Sequence, residues 1–229
     1  VKVKVVGSYA GDARVRDCGR TPGQGGRLIV SNHVSFLDIF ALNSVMPSAF
    51  VAKAEIARWP VFGMIASSVD TVFIERGNRR SLLATAEAIS AALAQGRNLL
   101  MFPEGTTSDG LALKKLHGNL MEGAVRRQAE VIPIVLRYKT HGQVTTTPAY
   151  VGDVGLFECL WKVVTMDELV LEIHLLSPRR GDNRHELCRL VSHDMCAVIG
   201  CEDPLAEPAP SAESVPSPAP VAASQKELA

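Results

Sequence analysis

The segment Asn32-His33-Val34-Ser35-Phe36-Leu37-Asp38 directly follows the apolar run LIVS and opens an apolar stretch with helical spacing. A strand-to-helix junction at the end of a sheet is where an α/β protein presents reactive groups, because the strand fixes position and the loop leaves the side chain accessible. A histidine there suits general-base chemistry: one ring nitrogen takes a proton from a hydroxyl while the other donates a hydrogen bond to an orienting carboxylate. His33 and Asp38 are five residues apart, about 500° along a continuous helix at 3.6 residues per turn, so about 140° from a common face. They meet only if His33 lies in the turn before the helix and Asp38 in its first turn. A quieter reading uses the same residues: Ser35-x-x-Asp38 has capping-box spacing, in which Asp38 only satisfies backbone donors.

A second segment, Phe102-Pro103-Glu104-Gly105-Thr106-Thr107-Ser108-Asp109-Gly110, follows another apolar strand, NLLMF. Pro103 ends the strand, and Gly105 and Gly110 permit tight turns. Packing gives no reason to place the Glu104 carboxylate there. The segment reads as a loop built for a ligand or, from its Thr, Ser, Asp and Gly content, as a solvated turn.

The elements that must position these segments alternate in the manner of an α/β layer structure. Val1–Val6 alternates at period 2; Arg27–Ser31, Phe50–Lys53, Thr71–Glu75, Asn98–Phe102 and Val131–Leu136 are short β-rich runs, and Glu168–Leu176 is a longer one. Helical spacing predicts helices over Ser35–Met46, Ser81–Gln95 and Asp182–Ile199, the last two stopped by Gly96 and Gly200 at C-cap positions. The Pro/Ala/Ser-rich stretch Pro204–Ala229 lacks the apolar surface to offset its ordering entropy and is expected to be a disordered tail after a 1–203 domain. With three glutamates against one lysine, the tail carries −2 of a net zero charge and leaves the rest at +2.

Composition excludes several classes. The 229 residues balance 24 basic against 24 acidic side chains, which argues against a nucleic-acid partner. Five cysteines without a CxxC pair make neither a disulfide framework nor a zinc ribbon. No window reaches the 18 or so apolar residues of a membrane span. The first valine already reads as part of a strand, so an anchor upstream of Val1 remains open. The absence of G-x-S-x-G argues against an α/β-hydrolase esterase.

Together the two segments resemble the signatures of the lysophospholipid and glycerol-phosphate acyltransferase family, NHxxxxD and a later FPEGTRS. Val72-Phe73-Ile74-Glu75-Arg76 is similar to the family's second block and Val131-Ile132-Pro133-Ile134 to its fourth. The resemblance implies a single α/β domain with a mixed central β-sheet flanked by helices. It implies that His33 is the general base on the acceptor hydroxyl, held by Asp38, with direct attack on an acyl thioester. It further implies acceptor binding by Glu75 and Arg76, and substrate binding and site shaping by Glu104, Gly105, Thr106 and Thr107. The co-substrate would be acyl-CoA or acyl carrier protein and the acceptor a lysolipid, with no cofactor and no metal. A peripheral enzyme on the cytoplasmic face of the membrane is expected.

One departure matters: Thr107 stands where the family pattern usually has arginine. A guanidinium makes charge-assisted, often bidentate bonds to phosphate and a threonine does not. A 1-acylglycerol 3-phosphate acceptor is therefore weighed against a lyso-ornithine lipid, to whose acyltransferases Asn32–Asp38 and Phe50–Pro60 are similar. A non-catalytic lipid-binding protein is the third reading. Arg79, Arg80, Lys114 and Lys115 either supply replacement charge or form a solvated basic surface. Ile56–Ile65, with Trp59, Phe62 and Met64 around Pro60, is read either as an interfacial or acyl-groove segment or as core. The pairs His185/Cys188 and His193/Cys196 spread too widely around one helix for a tetrahedral metal site. Gly23-Gln24-Gly25-Gly26 opens no helix and reads as a turn.

Overall fold

A computed structural model describes residues 1–7, 25–58, 63, 71–74, 79–152 and 155–206. Within them the β-rich runs form eight strands: β1 (Lys2–Val6), β2 (Leu28–Ser31), β3 (Ala49–Lys53), β4 (Val72–Ile74), β5 (Leu99–Met101), β6 (Val131–Thr140), β7 (Gln143–Val144) and β8 (Val170–Leu175). The helices are α1 (Leu37–Val45), α2 (Arg79–Ala94), α3 (Glu122–Arg127), α4 (Leu156–Val164) and α5 (Arg184–Ile199). One sheet runs in the order β1-β8-β6-β2-β5-β3-β4, with β7 folded back on β6. From β6 to β4 the strands are parallel, whereas β8 runs antiparallel to β6 and β1 parallel to β8. The sheet is thus mixed and flanked by helices.

Burial explains this order. β2 is fully enclosed along its length, as a central parallel strand covered on both faces must be. One core layer joins Leu28, Val30 and Val135 to α2, α3 and α5; the other joins Ile29, Ile134, Leu136 and Tyr138 to α1 and α4. At the edge, β1 exposes Lys2, Val3 and Lys4, and lysines on an edge strand discourage pairing with another chain.

Both anticipated C-cap glycines adopt the left-handed conformation, Gly96 at φ 74° and Gly200 at φ 81°. Most boundaries shift by one or two residues from the sequence reading, and three of the differences have a local reason. α1 begins at Leu37 rather than Ser35, because the Val34 and Ser35 amides are taken by the Asp38 side chain. β6 continues past Leu136 to Thr140, since its outer half pairs with β8 and Lys139 reaches Glu172 at 2.9 Å. Pro204–Ala206 lie within the described residues, and Leu205 packs against the core there; residues 207–229 lie outside them. No helix among the described residues is long and apolar enough to cross a membrane.

Candidate active site

The site is assembled at the C-terminal ends of β2 and β5, two neighbouring parallel strands. Asn32, the first residue past β2, is 1% exposed and uses its side-chain amide as a piece of β-ladder. Its Nδ2 donates to the Leu136 carbonyl at 3.1 Å and its Oδ1 accepts from the Leu136 amide at 2.7 Å. The β2–β6 pairing is thereby extended by one rung, which fixes the backbone from which His33 projects.

His33 lies in the turn before α1 and Asp38 in the helix's first turn, the arrangement their spacing required. Nδ1 of His33 lies 2.9 Å from Oδ2 of Asp38. The same oxygen accepts the amides of Val34 at 2.7 Å and Ser35 at 2.9 Å, and Oδ1 accepts the Tyr138 hydroxyl at 2.7 Å. Four donors converge on a fully buried side chain, the complement expected around an ionised, acceptor-only carboxylate. The nitrogen facing Asp38 must then carry the proton, leaving Nε2 as the basic nitrogen. Asp38 makes both sets of contacts at once: it accepts backbone donors at the start of α1 and it faces the His33 imidazole. The ring stacks on Phe102, with centroids 3.9 Å apart and planes 10° from parallel, and the His33 side chain keeps 19% of its surface exposed.

Glu104 ties the second segment to the first. It is 4% exposed, and its Oε1 accepts the His33 amide at 2.9 Å while Oε2 accepts the Lys114 amide at 3.2 Å. Ser108 donates its amide to the His33 carbonyl at 2.7 Å. Gly105 at φ 75° and Gly110 at φ 78° make the turns that other residues resist, and a Cβ on Gly110 would come within 2.9 Å of Val34. Thr106 is exposed on the loop. Thr107 turns its hydroxyl to the Tyr150 carbonyl, while Lys114 Nζ donates to the Thr107 carbonyl at 2.7 Å. Tyr150 in turn donates its amide to the Val34 carbonyl at 2.9 Å, so a third segment walls the site.

The structure therefore brings together His33, Asp38, Glu104, Gly105 and Thr107. Glu75 and Arg76 lie outside the described residues, as do Trp59–Phe62, Met64 and Ile65 of the aromatic segment. His185 and His193 are exposed, whereas Cys188 and Cys196 are buried with their thiols at the Leu116 and Glu202 carbonyls. A cavity of about 180 Å³ between α2, α3 and α5 involves none of the candidate residues. Sequence reasoning missed Tyr138, whose place on the Ile134-Leu136-Tyr138 face of β6 follows from period-2 alternation once the strand is extended.

Burial raises the Glu104 carboxyl from 4.5 to about 7, against the opposing pull of the His33 and Lys114 amides. Burial, with the Asp38 charge adding, also holds the Tyr138 phenol well above its usual value, so it stays a donor. The Glu104 shift sets a pH dependence of stability. Between pH 4.5 and 7 the unfolded chain has lost this proton and the native state keeps it, so stability falls as pH rises and levels off above 7. The full loss is roughly 3 kcal/mol. Glu104→Gln is expected to give a protein less stable at pH 5, because an amide cannot accept from both backbone donors, but with this slope removed; urea midpoints from pH 4 to 8 measure it.

A partly exposed histidine on a buried aspartate, at the C-terminal edge of a mixed sheet and tied to a proline-glutamate-glycine loop, is formed by the two segments that resemble the acyltransferase signatures. The acyltransferase family model matches residues 12–137, more than half of the chain, and the protein belongs to that family. It is 38% identical over 178 residues to the 1-acyl-sn-glycerol-3-phosphate acyltransferase of Neisseria gonorrhoeae, covering 76% of this chain and 69% of that one. It is 37% identical over 177 residues to the lyso-ornithine lipid O-acyltransferase of Pseudomonas aeruginosa, covering 76% and 68%. The crystal structure of the 1-acyl-sn-glycerophosphate acyltransferase PlsC from Thermotoga maritima superposes with a TM-score of 0.55 at 21% identity, covering 87% of this chain and 71% of that one, which shows a shared fold. The enzyme class is O-acyltransferase.

Proposed function

We propose that the protein transfers a fatty acyl group from an acyl thioester, acyl-CoA or acyl carrier protein, to the hydroxyl of a lysophospholipid of the 1-acylglycerol 3-phosphate type. The observation that carries this reading is the His33–Asp38 contact at 2.9 Å with the imidazole partly exposed beside the Glu104 loop. Nε2 of His33 takes the acceptor's hydroxyl proton as its oxygen adds to the thioester carbonyl. The tetrahedral intermediate then expels the thiolate, which receives that proton from the imidazolium. Asp38 balances the imidazolium charge, and Phe102 fixes the ring plane. Because a thioester is already activated, a positioned base worth about 10²–10⁴-fold, together with orientation of the reactants, is sufficient catalysis without a metal. The lipid acceptor implies work at a membrane, and a donor of the acyl-CoA or acyl carrier protein kind favours its cytoplasmic face.

A second acceptor is favoured by one observation. Thr107, in the place usually held by arginine, is spent on the Tyr150 carbonyl and offers no phosphate contact, which supports a lyso-ornithine lipid. Purified protein given acyl-CoA and, separately, acyl carrier protein thioesters with a panel of lysolipids is expected to yield diacyl product by mass spectrometry. Preference for the phosphate-bearing acceptor supports the first reading and preference for the amino-acid lipid the second. No product from any acceptor would end both.

A further inference from the structure

α4 is built inside out. Phe157, Leu160, Trp161 and Val164, at i, i+3, i+4 and i+7, are 85%, 42%, 70% and 68% exposed. They span about 100° of the helix, a continuous outer stripe. Only Cys159 and Val163, on the opposite side, are buried: Cys159 places its thiol at the Pro148 carbonyl and Val163 enters the core layer shared with α1. Most of the helix's apolar surface thus faces outward. Phe40 of α1, on the same side of the sheet, is 51% exposed as well.

Size and charge select the occupant. At 1.5 Å per residue and about 10 Å width, the outer face of a nine-residue helix offers roughly 140 Å², far short of the ~800 Å² per partner in a stable protein interface. A second copy or a protein partner would need much more surface than this. A lipid bilayer needs none, since a few aromatic and aliphatic side chains at head-group depth suffice, and tryptophan and phenylalanine suit that depth. The segment 155–169 carries Glu158, Asp167 and Glu168 against Lys162, and Lys162 pairs with Glu158 at 2.7 Å. Attraction to acidic lipid is therefore not its principle. Beneath the helix, the Pro148–Tyr150 segment joins it directly to the site through the Tyr150–Val34 hydrogen bond.

We propose that α4 is an interfacial helix that seats Phe157, Leu160, Trp161 and Val164 in the head-group layer of a bilayer and thereby docks the active site at its lipid supply. The proposal rests on the lipid-acceptor reading for its purpose, but the two fail separately. Trp59 and Trp161 are the two tryptophans of the chain, so the test uses the full chain carrying Trp59→Phe. Trp161 emission is expected to shift to shorter wavelength on adding phosphatidylcholine vesicles and to be quenched by brominated phosphatidylcholine, with little dependence on salt. Phe157→Ser with Val164→Ser, both on the exposed face, is expected to weaken vesicle partition on the order of tenfold or more while circular dichroism stays unchanged. No spectral shift, or equal partition of the double variant, would overturn the docking surface. So would self-association lost in the double variant, or Trp161 already shielded from iodide in buffer, which would place protein on the stripe. Absence of acyl transfer to every lysolipid would instead remove the acceptor reading and leave Trp161 insertion readable from its spectrum.

Discussion

Replacing His33 by alanine is expected to lower acyl transfer by about 10²–10⁴-fold while the protein still folds. The variant loses the hydrogen bond to Asp38 and the stack on Phe102. Those contacts are worth about 1–2 kcal/mol together, a fraction of a domain's stability. Asp38 keeps three donors without the imidazole, from Val34, Ser35 and Tyr138, so its charge is not stranded. Initial rates with saturating thioester and lysolipid, beside a urea melt, separate the two effects. A rate within a few-fold of the parent in a well-folded variant would dispose of the general-base role.

Asp38 is expected to matter for both folding and rate, and two substitutions divide them. Asp38→Ala leaves the Tyr138 hydroxyl and the Val34 and Ser35 amides without their acceptor in a buried place, at about 1–3 kcal/mol for each group left unsatisfied. Such a variant is expected to be strongly destabilised, by several kcal/mol. Asp38→Asn is milder. Its carbonyl oxygen can still receive the two amides, and its NH₂ can donate to the Tyr138 oxygen, which accepts as well as donates. The fold survives, but the negative charge that balances the imidazolium is gone, and the rate is expected to fall on the order of 10²–10⁴-fold. A folded Asp38→Asn protein with parental turnover would reduce Asp38 to a helix-start residue.

The parts legible in the sequence were those whose logic is local. Short β-rich runs and helices stopped by Gly96 and Gly200 follow from periodicity and capping, and His33 and Asp38 sit five residues apart on one junction. What periodicity could not supply were partners brought in by topology. Glu104 meets the His33 amide across 71 positions and Tyr138 meets Asp38 across 100, and both depend on β5 and β6 flanking β2. The role of Asn32 likewise emerges only with β6 beside it, where its side chain bonds both backbone groups of Leu136. α4 was not read from the sequence although Phe157, Leu160, Trp161 and Val164 carry helical spacing; what periodicity could not supply is that this stripe faces outward. α3, six residues long, offers too little pattern to register.

Glu104 holds the amides of residues 33 and 114 with the two ends of one carboxylate. Neither loop can lift alone without leaving that carboxylate half solvated and its remaining bond misaligned, so their excursions from the native state are a single event. Hydrogen exchange at these two amides should accordingly report one opening free energy, and the two loops of the candidate site breathe in unison.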